Sequence, residues 1–435
     1  MNNSIQKYTT YKPSGVEWLG EIPQHWEVSR LGLILNSVTE KNRTDLPLLS
    51  ITREKGVILR DLDNEEENHN FIPDDLSNYK VLKKGEFGMN KMKAWQGSYG
   101  ISDFDGIVSP AYYTFILEKN LEPAFFHVSI RSKLYISFFG SASDGVRIGQ
   151  WDLSRERMKQ IPFLIPPLTE QTRIAEFLDR KTAQIDQAVT IKEKQIALLK
   201  ERRQVLIHRA VTRGINPEVK LKPSGVEWIG DIPEHWEIQP IKYSLNGIVD
   251  CEHSTAPFVS ESEYFVVRTS NVKNGELISN DAKYTHEKGY IQWTRRGIPK
   301  VGDVLLTREA PAGEACLVPR DKKICLGQRM VWLKIDIKKL NPQFLIYIIY
   351  SKIGRTYIDY LSAGSTVLHL NMSDIKNIPI MSIPIKEQNE IVLLIENLSQ
   401  KIATAINLKQ QEIEKLKEYK STLINSAVTG KVKIG

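Results

Sequence analysis

The feature that most constrains how this chain can fold is an internal repeat. Residues 12–28, KPSGVEWLGEIPQHWEV, return at residues 222–238 as KPSGVEWIGDIPEHWEI, with 13 of 17 positions identical. A second match joins residues 161–174, IPFLIPPLTEQTRI, to residues 378–391, IPIMSIPIKEQNEI. The repeat offset is the difference in residue number between matched positions of the two copies, such as residues 161 and 378. A chain that repeats both ends of a segment in this way is built from two copies of one unit.

The two copies share a frame and differ in content. The first spans residues 12–212 and the second residues 222–429, and they are joined by residues 213–217, RGINP, in which Gly and Pro stop a helix. Between the matched ends, residues 31–160 (the first module) and residues 241–377 (the second module) keep only scattered correspondences. This pattern indicates two modules of one shape that recognise two different things.

Composition limits the class of protein. The chain has 435 residues, which favours two or three domains, and its 41% hydrophobic and 26% charged residues are typical of a folded soluble protein. A polar N-terminus and the absence of a long uninterrupted apolar run predict neither secretion nor a membrane span. Three cysteines are too few for a disulfide framework, so we expect reduced thiols in the cytoplasm. The net charge of +7 is compatible with a polyanionic partner but does not demand one.

The modules and their ends predict different secondary structure. Short β-branched or aromatic runs bounded by Gly, Pro or Asn predict strands in a mixed α/β module; they are residues 112–117, 264–268, 304–307 and 330–335. Residues 169–211 and 386–428 follow a proline, contain no Gly or Pro, and predict two helices of about 65 Å each.

Apolar residues of the first helix fall on a heptad, the pattern of a coiled coil. They are Ala175, Val189, Ile196 and Ala210 in one set and Leu178, Ile185, Leu199 and Leu206 in the other, and each has an apolar counterpart at the repeat offset. The polar breaks also coincide, at Thr182, Lys192 and Arg203 in the first helix and at Ser399, Lys409 and Lys420 in the second. An antiparallel pairing brings together Lys192 with Lys409, Thr182 with Lys420, and Arg203 with Ser399, and polar seam positions fix register.

We therefore predict an α/β (α+β) fold in which two modules form a tandem pseudo-two-fold repeat, separated by two long helices in an antiparallel coiled coil. The alternative is that each helix packs only on its own module.

Motifs of the common nucleotide enzymes are missing from the sequence. It holds no GxxxxGK[ST] loop, no GxGxxG after a strand and no Asn-Pro-Pro-aromatic run of an adenine methyltransferase. A nuclease-like acidic set, Glu309 or Glu314 with residues 321–323, lacks a preceding Pro-Asp and is better explained as a charged hairpin tip. Residues 250–253, DCEH, lack a second Cys/His pair at zinc spacing and favour a loop. We predict no catalytic residue and no metal site.

Each module instead carries basic, amide and aromatic residues on glycine-rich segments, the types that contact phosphates and base edges. The candidates of the first module are Asn90, Lys91, Lys93, Trp95, Gln96, Tyr99, Ser109, Tyr112 and Arg147. Those of the second are Arg268, Thr269, Asn271, Arg308, Gln328, Arg329 and His369. A solvated loop or a capped turn explains any single one of them, so the prediction of a surface for double-stranded DNA rests on the set.

Taken together, the twin GVEW and HWE segments, the twin EQ helix starts, the two variable modules and the two long helices resemble the specificity subunit of type I restriction-modification systems. The resemblance covers essentially the whole chain. It implies target recognition domains at residues 1–160 and 215–377, each reading one half of a bipartite asymmetric DNA site. Residues 161–214 and 378–435 are then the helices of a coiled-coil spacer that also docks methyltransferase subunits.

The resemblance also implies the partners. Two modification subunits bind S-adenosylmethionine and methylate adenine, and two restriction subunits use ATP, with magnesium, to translocate and cut DNA. The chain itself then has no cofactor, no catalytic activity and no membrane contact. The rival hypotheses are a nuclease or methyltransferase that acts alone, and a coiled-coil adaptor without a role at DNA.

Overall fold

A computed structural model describes residues 6–61, 72–145, 151–362 and 369–434. The chain divides into two compact units, residues 1–193 with 410–435 and residues 194–409. Each unit therefore contains one module and one part of each long helix. The four segments expected from the sequence, in which each helix is a segment of its own, stay a prediction.

The repeated sequence segments form the same antiparallel pairs in both units. In the first unit Tyr11–Pro13 pairs with Glu21–Pro23 and Glu27–Arg30 with Pro162–Ile165; in the second, Leu221–Pro223 pairs with Asp231–Pro233 and Glu237–Pro240 with Pro379–Ser382. The second pairing in each unit joins the two ends of a module. The repeated segments thereby bring the start and the end of each module together, next to the start of the long helix that follows it.

Each module is built on one antiparallel sheet of four strands in the same spatial order. In the first module the order is Leu35–Ser37, Tyr113–Leu117, Phe87–Met89 and Tyr99–Ile101; in the second it is Leu245–Asp250, Met330–Ile335, Val304–Thr307 and Ala315–Leu317. Three of the four central strands, Phe87–Met89, Val304–Thr307 and Met330–Ile335, are almost wholly buried. The fourth, Tyr113–Leu117, is buried only at Thr114 and Phe115. The predicted strands at 304–307 and 330–335 are confirmed at those bounds, and the other two are confirmed within one residue.

Smaller elements differ between the modules. The first adds strand pairs Leu49–Thr52 with Gly56–Leu59, Lys80–Leu82 with Gly106–Val108 and Ser143–Asp144 with Asp152–Leu153, and helices Leu31–Ile34, Ala94–Gln96 (3-10), Pro123–Ile130, Lys133–Ser141 and Arg155–Lys159. The second adds a sheet of Phe258–Val259, Lys283–Thr285, Tyr264–Val267 and Lys323–Leu326, the pair Val272–Lys273 with Glu276–Leu277, and helices Ile241–Ser244 (3-10), Thr269–Asn271 (3-10), Glu287–Trp293, Pro342–Tyr350, Lys352–Ser362 and Met372–Lys376.

The two long helices, Leu168–Arg213 and Ile385–Val428, begin and end within two residues of the predicted bounds. Contacts inside each unit pair them antiparallel. In the first unit Asp186 binds Lys420 at 2.6 Å and Lys192 binds Glu412 at 2.6 Å; in the second, Arg203 Nε donates to Ser399 Oγ at 3.1 Å. Residue numbers rise along one helix as they fall along the other. Thr182 and Lys409 are half-buried.

Apolar faces of the helices complete the cores of the units. In the first unit Leu178 and Ile185 share a core with Leu423, and in the second Val211 shares one with Ile395. Helices of both copies therefore contribute to each core, against the alternative in which each packs only on its own module. A window of Ile385–Val428 reaches a mean hydropathy of 1.2, enough to pass as a membrane span by length and composition. In the described structure 22% of this window is buried: Val392 and Ile395 of the helix lie in the core of the second unit, whereas Leu393 and Leu408 are exposed.

The recurring sequence motifs bind one another at the base of each module. The carboxylate of Glu170 accepts a hydrogen bond from Tyr8 and contacts His25 at 2.8 Å. The carboxylate of Glu387 contacts His235 at 3.0 Å and accepts from the indole nitrogen of Trp236, also at 3.0 Å. The HWE and EQ segments are thus two halves of one clamp.

A buried glutamine follows each of these glutamates. Gln171 accepts from the backbone nitrogen of Glu122 at 2.9 Å and donates to the carbonyls of Asn120 at 2.9 Å and Pro166 at 2.8 Å. Gln388 repeats the arrangement with Asn341, Lys339 and Ile383 at 2.8, 2.7 and 3.0 Å. Both amides are fully buried, so each fixes the start of its helix to the module.

Candidate nucleic-acid interface

Two segments that carry candidate residues meet in the same way in both modules. In the first, the backbone nitrogen of Leu153 donates to the carbonyl of Lys91 at 3.2 Å; in the second, that of Leu370 donates to the carbonyl of Arg308 at 2.9 Å. Both pairs of positions are related by the repeat offset. Both modules therefore place a basic residue beside the segment that leads into the last short helix.

In the first module this junction is an ion pair with a polar turn beside it. Lys91 binds Asp152 at 2.9 Å, and this contact raises the pKa of Lys91. The Asn90 side chain is 5% exposed; its amide donates to the Tyr112 hydroxyl at 3.2 Å and accepts from the backbone of Met92 at 3.1 Å. Asn90 thus shapes the turn, while Lys91 is presented at its surface.

The remaining candidates of the first module are three residues of one turn and a serine that caps another turn. Lys93 is exposed and Gln96 is half-buried, and the Trp95 ring lies against Trp151 with centroids 5.0 Å apart. Ser109 accepts from the backbone of Ala111 at 3.4 Å and caps a turn.

Tyr99 is a core residue of the first module. Its side chain is fully buried and its ring packs on Phe139 at 4.6 Å, and burial raises the pKa of its hydroxyl. We do not retain Tyr99 as a DNA contact, because no face of its ring reaches solvent. Arg147 lies outside the described residues.

In the second module the junction is a network of charged side chains. Arg308, 9% exposed, donates through Nη1 to the carboxylate of Asp250 at 2.8 and 3.0 Å and through Nε to the carbonyl of Leu370 at 3.1 Å. Its Nη2 lies 3.1 Å from Nε2 of His369. The Arg308 guanidinium is therefore held in one orientation.

The network continues to the surface through Glu309. Its carboxylate lies 3.5 Å from Nδ1 of His369 and 3.0 Å from Nε of Arg329, whose side chain is 53% exposed. Gln328 is exposed and donates to the carbonyl of His253 at 3.1 Å. The fold thus brings four candidates, Arg308, Gln328, Arg329 and His369, together with Asp250 and Glu309, which the sequence analysis considered only for a metal or nuclease site.

The other candidates of the second module form a neighbouring turn. Arg268 donates to Asp281 at 2.7 Å, and Thr269 is half-buried. Asn271 is fully buried, accepts from the backbone of Arg268 at 3.1 Å and donates to the carbonyls of Ile278 at 3.1 Å and Asn280 at 3.2 Å. Asn271 holds the turn together, and we do not retain it as a base contact because its amide is already saturated.

The residues considered for a nuclease or metal site have other partners. Glu314 accepts from Arg355 at 2.9 Å and from the Tyr350 hydroxyl at 2.7 Å, and Asp250 is the partner of Arg308. Across the described residues, no group of three or more His, Cys, Asp or Glu side chains could hold a metal ion. Burial raises the pKa of the Cys316 thiol to about 12, so this cysteine is an inert core residue.

Sequence reasoning missed a group of cations in the first module. Lys80 Nζ donates to the carbonyl of Tyr112 at 2.6 Å and lies 6.0 Å from the ring centroid of Tyr113. The guanidinium of Arg155 lies 5.7 Å from the same centroid. Only the fold brings these residues together, since no motif or repeat position marks them.

Comparison with known proteins gives a family for the chain. The sequence model of one protein family, the type I restriction modification DNA specificity domain, matches this chain twice, at residues 23–201 and 243–418. The chain is 22% identical over 431 residues, covering 96% of both sequences, to a putative type I restriction enzyme MjaX specificity subunit of Methanocaldococcus jannaschii. It is 26% identical over 274 residues, 61% of this chain and 56% of the other, to the type I restriction enzyme EcoBI specificity subunit of Escherichia coli.

Solved structures share the fold. A chain from a structure described as "Structural basis underlying complex assembly and conformational transition of the type I R-M system" matches with a TM-score of 0.70 and 15% identity over 94% of this chain and 98% of that one. The crystal structure of the HsdS subunit from Thermoanaerobacter tengcongensis matches with a TM-score of 0.57 and 16% identity over the same shares. The predicted fold class of tandem α/β modules and paired long helices is confirmed, as is the family resemblance. The chain belongs to the type I restriction-modification DNA specificity subunits, the non-catalytic components that give such a complex its DNA target.

Proposed function

We propose that the two modules read the two halves of one bipartite, asymmetric DNA site. The observation that carries the proposal is the pair of equivalent junctions, in which one backbone hydrogen bond supports Lys91 beside Asp152 in the first module and Arg308 beside His369 in the second. A preserved frame with different polar side chains at matched positions suits two readers of different base sequences. Arginine, glutamine and lysine are the side chains that most often make such contacts.

The rest of the complex is part of the same proposal. We propose that two modification subunits carry S-adenosylmethionine and methylate adenine, and that two restriction subunits carry ATP and magnesium and cut DNA. The chain supplies no cofactor, docks the modification subunits along its long helices, and works in the cytoplasm. Its three free cysteines, all buried, suit that compartment.

Exchange of one module tests the proposal. Replacing residues 31–160 by the equivalent part of another specificity subunit should change one half of the methylated site and leave the other half intact. The measurement is single-molecule methylome sequencing of a host that carries the complex. A change in both halves contradicts the assignment, and methyl transfer by the purified chain alone supports the rival hypothesis of an enzyme.

Single substitutions separate base contacts from phosphate contacts. If Arg329 reads guanine, Arg329→Ala costs about 1 to 3 kcal/mol of binding free energy and relaxes specificity at one position of one half-site. The same expectation holds for Lys93→Ala in the other half-site. Equal weakening on all DNA sequences would assign the side chain to a phosphate instead.

We also propose that the length of the paired helices sets the gap between the half-sites. Inserting four helical residues after Leu199 adds about 6 Å, close to two base pairs. We expect both half-sites to persist in the methylome with a gap longer by one or two base pairs, since the unchanged partner helix opposes the full extension. An active mutant that keeps the original gap contradicts this role.

A further inference from the structure

The first module gathers cations around Tyr113, the first residue of the strand Tyr113–Leu117 in its central sheet. Lys80 and Arg155 approach the Tyr113 ring at 6.0 and 5.7 Å, from a strand and a short helix that are far apart in sequence. Lys91, on the neighbouring turn, is near enough to Tyr113 for the phenol to influence its pKa. A hydrogen bond to the Tyr112 carbonyl at 2.6 Å fixes the Lys80 ammonium and leaves two of its donors for a ligand.

The positive charge of this cluster is only partly balanced. Lys91 has Asp152 as an ion-pair partner at 2.9 Å. Among the residues that the structure describes, Lys41, Lys80 and Arg155 have no carboxylate within 4.0 Å. Burial lowers the pKa of Lys80, and the positive charges of Lys41, Arg155 and Lys91 lower it further. Like charges held together in this way are stabilised by an anion that binds between them.

We infer that Lys80 and Arg155, the two cations near the Tyr113 ring, together bind one phosphodiester of the DNA backbone, and we call this site the seat. The inference rests on the proposed function. A phosphodiester carries a single negative charge and two free oxygens, which suits a lysine and an arginine whose donors are free of protein carboxylates. The seat adjoins Lys91 and Tyr112, both candidates for the reading surface, which favours DNA over an acidic protein partner.

The second module lacks this seat. In the matched sheets Tyr113 corresponds to Val331, which is fully buried, and at the repeat offset Arg155 corresponds to Met372. Neither residue offers a charge or an aromatic face to a phosphate. The inference is therefore asymmetric: the first module adds affinity that does not depend on base sequence, at a place where the second module adds none.

The test is the salt dependence of DNA binding by the assembled complex. The variant Lys80→Met/Arg155→Met replaces both cations with unbranched apolar side chains, one of which is the residue of the second module. Losing one phosphate contact should lower the slope of log affinity against log salt by about 0.9 and weaken binding about fivefold at about 0.15 M salt. Cognate and unrelated duplexes should weaken by the same factor, and the methylated sequence should not change.

Two matched variants control for folding and for bulk charge. Lys119→Met removes an exposed lysine two residues beyond Leu117, the end of the strand that lies about 13 Å from Tyr113, and should leave the slope unchanged. Lys80→Arg/Arg155→Lys keeps both charges and should restore most of the slope.

Each other outcome overturns the inference. An unchanged slope in the methionine variant means that the cluster does not contact DNA, and a changed recognition sequence means that it contacts bases. Loss of subunit assembly with normal DNA binding assigns the cluster to an acidic protein partner. If the wild-type complex itself shows no preference for its cognate duplex, the proposed function fails instead, and this is measured separately.

Discussion

The two modules share a sheet, a backbone junction and a closing clamp, yet they treat charge in opposite ways. At the junction of the second module, arginines are matched by acids: Arg308 by Asp250 and Arg329 by Glu309. The first module has an ion pair at Lys91 and, beside it, cations without carboxylate partners among its described residues. The frame thus determines where a polar surface is presented, and the variable residues determine whether that surface is rigid and balanced or open to an anion.

The largest effect should come from the frame, where the modules are alike. Gln171→Leu and Gln388→Leu each remove a fully buried amide that satisfies three backbone groups. Leaving such groups without partners costs about 1 to 3 kcal/mol each, so we expect a loss of about 4 kcal/mol in the free energy of unfolding, partly offset where water enters. Urea unfolding of the full chain measures it.

Gln184→Leu is the matched control, since it changes the same residue type at an exposed position of the first long helix. It should alter stability by less than about 0.5 kcal/mol. If Gln171→Leu and Gln388→Leu differed strongly from each other, the two frames would not be energetically equivalent.

A second difference lies at the junction itself. Arg308→Met leaves the Asp250 carboxylate, 22% exposed, and the Leu370 carbonyl without their main donor, and should cost about 3 kcal/mol. Lys91→Met, at the matched position, breaks an ion pair whose acid is 57% exposed and should cost less than about 1 kcal/mol. Unfolding in urea compares the two variants. Equal costs would show that the charge network of the second module adds no rigidity.

Much of this architecture could be predicted from the sequence because it depends on periodic or repeated patterns. Long Gly- and Pro-free segments gave the helix bounds to within two residues, and β-branched runs gave the strands 304–307 and 330–335. The repeat offset also identified matched segments, including those that meet through Leu153 and Leu370.

The site was less predictable because side-chain type does not reveal which face of an element a residue occupies. Tyr99 and Asn271 have side chains of the kind that contact DNA. The Tyr99 ring packs in a core, however, and the Asn271 amide hydrogen-bonds to the backbone of its own turn. Lys80 and Arg155 show the converse, since they meet at Tyr113 only after distant elements have folded together. Repeat comparison finds shared positions, whereas the proposed DNA contacts of these modules are residues that differ between them.

The smallest predicted effect concerns a histidine that only the first module buries. His127 lies 3.5 Å from the Cβ position of Gly56, and Ile346 lies 3.3 Å from that of Gly275, so the two residues occupy matched places in the modules. Nδ1 of His127 accepts a hydrogen bond from the backbone of Ile101 at 3.1 Å, which requires a neutral ring. Burial, helped by the positive charge of Arg131, lowers the pKa of His127 to about 4.

This lowered pKa should make the first module sensitive to acid where the second is not. An unfolded chain binds a proton at His127 near pH 6.5, whereas the folded chain does so only near pH 4, so stability present above pH 6.5 is lost as the pH falls towards 4. Between pH 7 and pH 5 the loss in the free energy of unfolding should be about 2 kcal/mol.

The variant His127→Ile introduces the residue found at the matched place of the second module and should remove this step from the pH dependence of urea unfolding. Ile346→Val is the matched control in the second module and should lower stability equally at both pH values, because no proton is involved. A wild-type pH dependence that survives in His127→Ile would place the acid-sensitive group elsewhere and leave the two modules alike in this respect.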